Sequence, residues 1–125
     1  MSDAFPPDVK DFIRQSIHSL AQLEVLLMLR GEPERHWTAE DVAKVLYVQP
    51  PVATDLLTDL VRRGLAVQPE ASFRYQPAND ALRDLIERLA QLYHDRRVAV
   101  TTEIYSKPVD FVKAFADAFR LRKEE

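Results

Sequence analysis

Apolar residues recur at three- and four-residue intervals along most of the chain, a spacing that predicts a mainly helical protein. The first predicted helix begins at Pro6 and Pro7, because proline suits the first helical position, and it continues to Gly31. Its last two turns are apolar nearly all round, so we expect them to be buried on more than one side. The apolar positions of this helix are Phe12, Ile13, Ile17, Leu20, Leu23, Leu26, Leu27 and Leu29.

Two shorter helices are predicted after a candidate strand at residues 34–37. The first follows Thr38, where Thr-Ala-Glu-Asp has the spacing of a capping box, and it ends near residues 47–49. The second opens at Pro50 and closes at Gly64, since glycine commonly follows a helix C-terminus. The predicted inner faces carry Val42, Val45 and Leu46 in the first helix, and Ala53, Leu57, Leu60 and Val61 in the second.

A β-hairpin and two further helices complete the prediction. Short apolar strands at residues 65–68 and 73–76 flank a polar turn, which is the pattern of a hairpin. A long helix is predicted over about residues 79–106, with a solvated or bent section at residues 95–97. A last helix carries an aromatic stripe at four-residue intervals, formed by Phe111, Phe115 and Phe119.

Composition narrows the class of protein. The chain has 125 residues, of which 46% are hydrophobic and 30% charged, so we expect one compact domain over residues 1–125. Two glycines argue against a β-sandwich and against a Gly-rich phosphate loop. The absence of cysteine excludes disulfides and thiol chemistry. The N-terminus does not resemble a signal peptide, and the longest apolar run is too short to span a bilayer, so we expect a soluble, cytoplasmic protein without a membrane partner.

The histidines give no sign of catalysis. His18, His36 and His94 lie in three different predicted elements, and none forms a metal-binding pair at helical spacing. Serine and histidine show no triad-like or nucleophile-elbow setting either. We therefore expect no catalytic residue, no metal and no cofactor, and we predict that the protein is not an enzyme.

Two segments carry a family resemblance: Trp-Thr-Ala-Glu-Asp-Val-Ala at residues 37–43, and Asp-Leu-Leu-Thr-Asp-Leu-Val-Arg-Arg-Gly-Leu-Ala-Val at residues 55–67. About half of the chain resembles the winged helix-turn-helix domain of bacterial transcription regulators, and the flanking helices are similar in arrangement to those of MarR-like regulators. The resemblance implies a mainly α fold with a small β-hairpin wing. In it, a winged-helix core at residues 19–76 is flanked by an N-terminal helix and by a C-terminal extension of two helices at residues 79–121.

The resemblance also implies how DNA would be bound. A recognition helix would enter the major groove and the wing would cross the backbone, which requires donors for base edges and cations for phosphates. The candidate DNA contacts are Thr38, Gln49, Thr54, Thr58, Arg62, Arg63 and Arg74.

The charge of the same region opposes this interpretation. The whole chain has a formal charge of −3, and residues 38–61 alone carry four acidic side chains against Lys44. Pro50 and Pro51 lack the N–H groups that a helix N-terminus uses to bind phosphate, and the predicted wing tip carries Glu70 rather than a cation.

Two hypotheses therefore remain. The first is a DNA-binding transcription regulator that acts as a homodimer. The alternative is a winged-helix module for protein–protein interaction that does not bind DNA. The stripe of Phe111, Phe115 and Phe119 fits either a dimer seam or a protein partner, and it also fits packing within the chain.

Overall fold

The computed structural model describes residues 6–105, which form six helices and one small antiparallel sheet. In chain order the elements are α1 (Pro7–Ser16), α2 (Leu20–Gly31), α3 (Ala39–Leu46), α4 (Pro50–Arg62), β1 (Ala66–Val67), β2 (Arg74–Tyr75), α5 (Asp80–Asp95) and α6 (Arg97–Tyr105). This arrangement confirms the predicted mainly α fold with a small hairpin.

The elements pack in two groups that share one core. Helices α3 and α4 pack against each other, α2 lies against α4 and β2, and β1 continues from α4 into the hairpin. Helices α1, α5 and α6 pack together as the second group. A single cluster of buried apolar side chains runs through both groups, and it includes Ile13, Leu26, Leu57 and Leu89.

The single N-terminal helix that was predicted is in fact two helices. The chain becomes extended at Ile17 (φ −113°, ψ 107°) and at Ser19 (φ −156°, ψ 160°). The Ser19 hydroxyl accepts the backbone N–H of Gln22 at 3.1 Å and thereby caps α2. The Leu20 N–H, which has no partner within the helix, donates to the Tyr105 hydroxyl at 2.9 Å.

The long helix predicted for residues 79–106 is also divided. Arg96 adopts φ −137° and ψ 59°, which ends α5 at Asp95 and allows α6 to begin at Arg97. The break lies inside the section at residues 95–97 where a bend was expected. Tyr93 and Val100, one on each side of the break, are both buried, so the break does not interrupt the core.

The predicted hairpin forms a small two-stranded sheet, whereas the candidate strand at residues 34–37 forms only an isolated bridge at Trp37. Ala66 pairs with Tyr75 and Val67 pairs with Arg74 in antiparallel register. At the bridge, the Trp37 N–H donates to the Phe73 carbonyl at 2.8 Å and the Trp37 carbonyl accepts from the Phe73 N–H at 2.7 Å. The Trp37 ring is buried, as core packing requires, and Arg35 stacks over it at 3.7 Å.

Candidate nucleic-acid interface

A reciprocal cap fixes the start of α3. The Thr38 hydroxyl accepts the Asp41 N–H at 3.0 Å, and the Asp41 carboxylate accepts the Thr38 N–H at 3.1 Å. The hydrogen bond from the Thr38 backbone lowers the pKa of Asp41 below its ordinary value. Thr38 is exposed, but its hydroxyl already has this structural role, and Asp41 contributes its charge to the cap.

The turn between α3 and α4 exposes apolar side chains. Tyr47 has φ 59° and ψ 47°, a left-handed conformation that is unusual for an aromatic residue, and 94% of it is exposed. Val52 and Val45 are also exposed. The prediction of Val45 on an inner face was wrong: Val42 and Ala43 are the buried residues of α3, because the buried face of this short helix is narrow.

One exposed face of α4 carries the polar candidates. Thr54, Thr58 and Arg62 follow one another at four-residue intervals, and all three are exposed. The opposite face packs through Ala53, Leu57 and Leu60, which are buried. Gln49 occupies the N-cap position without a side-chain capping bond and is also exposed. Two hydroxyl groups and one cation are therefore presented along a single side of the helix, and Gln49 is exposed separately at its N-terminus.

Arg62 and Arg63 share one internal acid. Nη2 of Arg62 donates to Oδ1 of Asp59, and Nε of Arg63 donates to Oδ2 of Asp59 at 2.7 Å. Burial opposes ionisation of Asp59, but the hydrogen bonds from Arg63 and Arg62 outweigh it, so the pKa of Asp59 lies below its ordinary value. The side chain of Arg63 is only 23% exposed and also donates to the Gln15 carbonyl at 2.7 Å. The structure thus places Arg63 in an internal network and Arg62 at the surface.

The wing carries one of the candidate cations. Arg74 lies on β2, where it is half-buried and donates from Nη2 to Oε1 of Gln76 at 2.7 Å. The turn at residues 69–72 contains no basic residue, and its exposed Glu70 has φ 59°. Any phosphate contact by this wing would therefore depend on its strand and not on its tip.

Fewer acidic side chains are free at the surface of the helix-turn-helix than the sequence alone suggests. Asp41 belongs to the cap of α3, and Asp59 pairs with two arginines. On α4 itself, Asp55 is exposed and forms no ion pair among residues 6–105. The second helix and its C-cap residue together carry equal numbers of acidic and basic side chains, so this surface is close to neutral.

Residues 6–105 contain no cluster of three or more His, Asp or Glu side chains that could hold a metal ion. Among the same residues, no helix has the length and apolar character needed to cross a membrane. Phe111, Phe115 and Phe119, the candidate dimer or partner surface, lie outside the described residues.

Sequence comparison alone identifies no relative: no protein-family model and no curated protein matches the chain. Solved structures do resemble it. Sco5413, a MarR family transcriptional regulator from Streptomyces coelicolor, aligns with a TM-score of 0.56 and 18% identity, covering 94% of this chain and 82% of that one. MepR, a transcription regulator of the Staphylococcus aureus multidrug efflux pump MepA, aligns with a TM-score of 0.55 and 16% identity, covering 95% and 89%.

A third similar structure is the transcriptional repressor CouR bound to p-coumaroyl-CoA. It aligns with a TM-score of 0.54 and 22% identity over 95% of this chain and 83% of that one. These alignments span almost the whole chain, including the helices that flank the hairpin. The chain therefore has a MarR-like winged-helix fold, in which α3 and α4 form the helix-turn-helix and β1 and β2 form the wing.

Proposed function

We propose that the protein is a DNA-binding transcription regulator. The observation that carries the proposal is the exposed stripe of Thr54, Thr58 and Arg62 on α4, the second helix of the helix-turn-helix in a MarR-like fold. Hydroxyl groups and a guanidinium are side-chain groups that hydrogen-bond to base edges and phosphates. Gln49 is exposed at the N-cap of the same helix, apart from the stripe, and base edges are read near this end of the helix in helix-turn-helix proteins.

We propose further that the protein acts as a homodimer formed by its terminal helices. Helix α6 exposes Val98 and Tyr105 among the described residues, and the aromatic stripe of Phe111, Phe115 and Phe119 follows in sequence. Apolar groups exposed on a helix favour association with a second surface. In this proposal the winged-helix unit is residues 19–76, and residues 79–121 are the dimerising extension. A bacterial DNA-binding regulator acts in the cytoplasm, so this proposal agrees with the location expected from the sequence.

A protein-interaction module is the second candidate. Two observations support this candidate: Val45, Tyr47 and Val52 are exposed apolar residues around the turn between α3 and α4, and α4 is nearly neutral in charge. Apolar side chains grouped in this way are more typical of a protein contact than of a phosphate contact. DNA binding requires cationic side chains at the interface, whereas an apolar protein contact does not. The salt dependence of DNA affinity therefore distinguishes the two candidates.

The test of DNA binding is the salt dependence of affinity for mixed-sequence duplex DNA, compared between wild type, Arg74→Ala and Arg97→Ala. Arg74 lies on the wing, whereas Arg97 begins α6, which packs mainly on α1 and α5. Each variant loses one positive charge. We expect Arg74→Ala to weaken binding and to flatten the slope of log affinity against log salt by about one ion.

The control variant Arg97→Ala should keep the wild-type slope. Equal slopes for all three proteins would remove the wing from the DNA interface. No salt-dependent binding by wild type would favour the protein-interaction candidate instead.

A further inference from the structure

Asp59 is the most heavily engaged side chain of the helix-turn-helix. Its Oδ2 accepts from Nε2 of Gln22 at 2.5 Å and from Nε of Arg63 at 2.7 Å, while its Oδ1 accepts from Arg62. Three donors from two helices and a C-cap residue therefore converge on one carboxylate. The spacing of Arg62 and Arg63 from Asp59 allows both ion pairs within one helix, whereas the bond from Gln22, 37 positions earlier, has no signal in the sequence.

The other two partners of the carboxylate, Gln22 and Arg63, are themselves held by bonds to α1 and to the segment that follows it. Gln22 is only 2% exposed, and its Oε1 accepts the His18 N–H at 2.7 Å. Arg63 is tied to the Gln15 carbonyl, in the last turn of α1. Asp59 thus keeps two partners besides Arg62, and both are bonded to the region where α1 and α2 meet.

Arg62 is the exposed partner of this group. Its side chain is 75% exposed, and its only ion pair among the described residues is with Asp59. An exposed arginine–carboxylate pair is weak, because water and salt screen it. The guanidinium is therefore within reach of two acceptors of the same kind, the Asp59 carboxylate and any phosphate that approaches α4.

We propose that Asp59 is an intramolecular competitor of DNA phosphate for Arg62 and thereby limits the affinity of this winged helix for DNA. The inference rests on the proposed function, because it needs DNA as the second acceptor. In the free protein the carboxylate offsets the positive charge of Arg62. Binding DNA must break or share this pair, so Arg62 contributes less than a full phosphate contact.

The test compares Asp59→Asn with Asp55→Asn. Asparagine keeps the size of aspartate, and its amide oxygen can still accept from Gln22 and Arg63. Asp55 lies one turn earlier on α4, is exposed and has no ion pair within residues 6–105, so its variant loses the same charge without releasing an arginine. Both variants reduce repulsion of DNA, and the difference between them measures the release of Arg62.

We expect Asp59→Asn to bind mixed-sequence duplex DNA more tightly than Asp55→Asn at low salt, with a slope steeper by about one ion. That difference in slope means that the advantage of Asp59→Asn should shrink about 3.5-fold between about 50 mM and about 200 mM salt. A purely structural role for Asp59 would lower thermal stability and would not steepen the slope.

The double variant Asp59→Asn/Arg62→Ala shows whether the gain in DNA affinity depends on Arg62. If the released group is Arg62, the gain of Asp59→Asn over Asp55→Asn disappears when Arg62 is alanine. Thermal unfolding monitored by circular dichroism establishes that each variant is folded. If Asp59→Asn does not fold, Arg62→Ala alone carries the test: it should flatten the wild-type slope by less than half as much as Arg74→Ala does.

Three results would overturn the inference while leaving the proposed function intact. The first is an identical slope for Asp59→Asn and Asp55→Asn in proteins that bind DNA. The second is a gain that persists without Arg62. The third is an Arg62→Ala variant that flattens the slope as much as Arg74→Ala does. Absence of DNA binding by wild type and every variant would instead contradict the proposed function, and the inference would fail with it.

Discussion

At the scale of single residues, Asp59 links the stability of the protein to pH. Its pKa is lowered in the folded state because hydrogen bonds from Arg63, Arg62 and Gln22 outweigh the opposing effect of burial. A lowered folded pKa means that the unfolded state binds the proton first as pH falls. The stability that ionised Asp59 contributes is therefore complete above the unfolded pKa and is lost as pH falls through the lower folded pKa.

This predicts that the free energy of unfolding of Asp59→Asn depends less steeply on pH in acid than that of wild type. Between neutral pH and about pH 4 the free energy of unfolding should change with pH similarly in the variant and in wild type, and below about pH 4 it should fall less steeply in the variant. Urea unfolding followed by circular dichroism at a series of pH values measures both curves. Parallel curves down to the acid limit would mean that Asp59 is not preferentially ionised in the folded protein.

At the scale of elements, the two helix breaks show which helix boundaries can be predicted from the sequence and which cannot. Apolar residues continue at helical spacing through Ile17 and Leu20, so periodicity alone predicts one helix across a point where the backbone is extended. A signal was nevertheless present. Ser19 and Gln22 have the Ser-x-x-Gln spacing of a helix start, and the Ser19 hydroxyl does cap α2.

The second break has a weaker signal. Arg96 is neither glycine nor proline, and arginine is not among the residue types that favour an N-cap, so the sequence offers only a charged section at residues 95–97 in place of the apolar pattern. Tyr93 and Val100 lie seven positions apart and would share one face of an unbroken helix, so their burial does not account for the break. After the break, α6 packs against α1 as well as α5. Local sequence therefore indicated where a bend would lie, but not that it would divide the helix.

The candidate interface was likewise predictable only in part. Thr54, Thr58 and Arg62 share an exposed face because helical periodicity requires it. The bond of Asp59 to Gln22 and the bond of Arg63 to the Gln15 carbonyl join residues 37 and 48 positions apart. Such contacts depend on how α1, α2 and α4 pack, and no local pattern contains that information.

The cap of α2 gives a prediction at this scale. Ser19→Ala removes the acceptor for the Gln22 N–H, and we expect the free energy of unfolding to fall by about 1 kcal/mol. Ser19→Thr, which keeps a hydroxyl acceptor, should retain most of that stability. Chemical denaturation of the two variants and wild type measures the difference. Equal stability of Ser19→Ala and wild type would show that the break between α1 and α2 does not depend on this cap.

At the scale of the whole molecule, one continuous core joins the winged-helix elements to α1, α5 and α6. Helix α4 is therefore not an independent unit. Through Gln22 and Arg63 it is bonded directly to the junction of α1 and α2, and that junction is bonded to α6 through Leu20 and Tyr105. In the proposed homodimer, the geometry of the terminal helices would set the spacing of two α4 helices on DNA.

The most direct measurement is selection of bound fragments from random genomic duplex DNA at about 50 mM and at higher salt, followed by sequencing, because phosphate contacts are strongest at low salt. The proposed function predicts salt-dependent binding and an enriched site with two-fold symmetry, in which the half-sites lie about one helical turn apart. Failure to recover any fragment at the lower salt concentration would contradict DNA binding, and the exposed group of Val45, Tyr47 and Val52 would then indicate a protein partner.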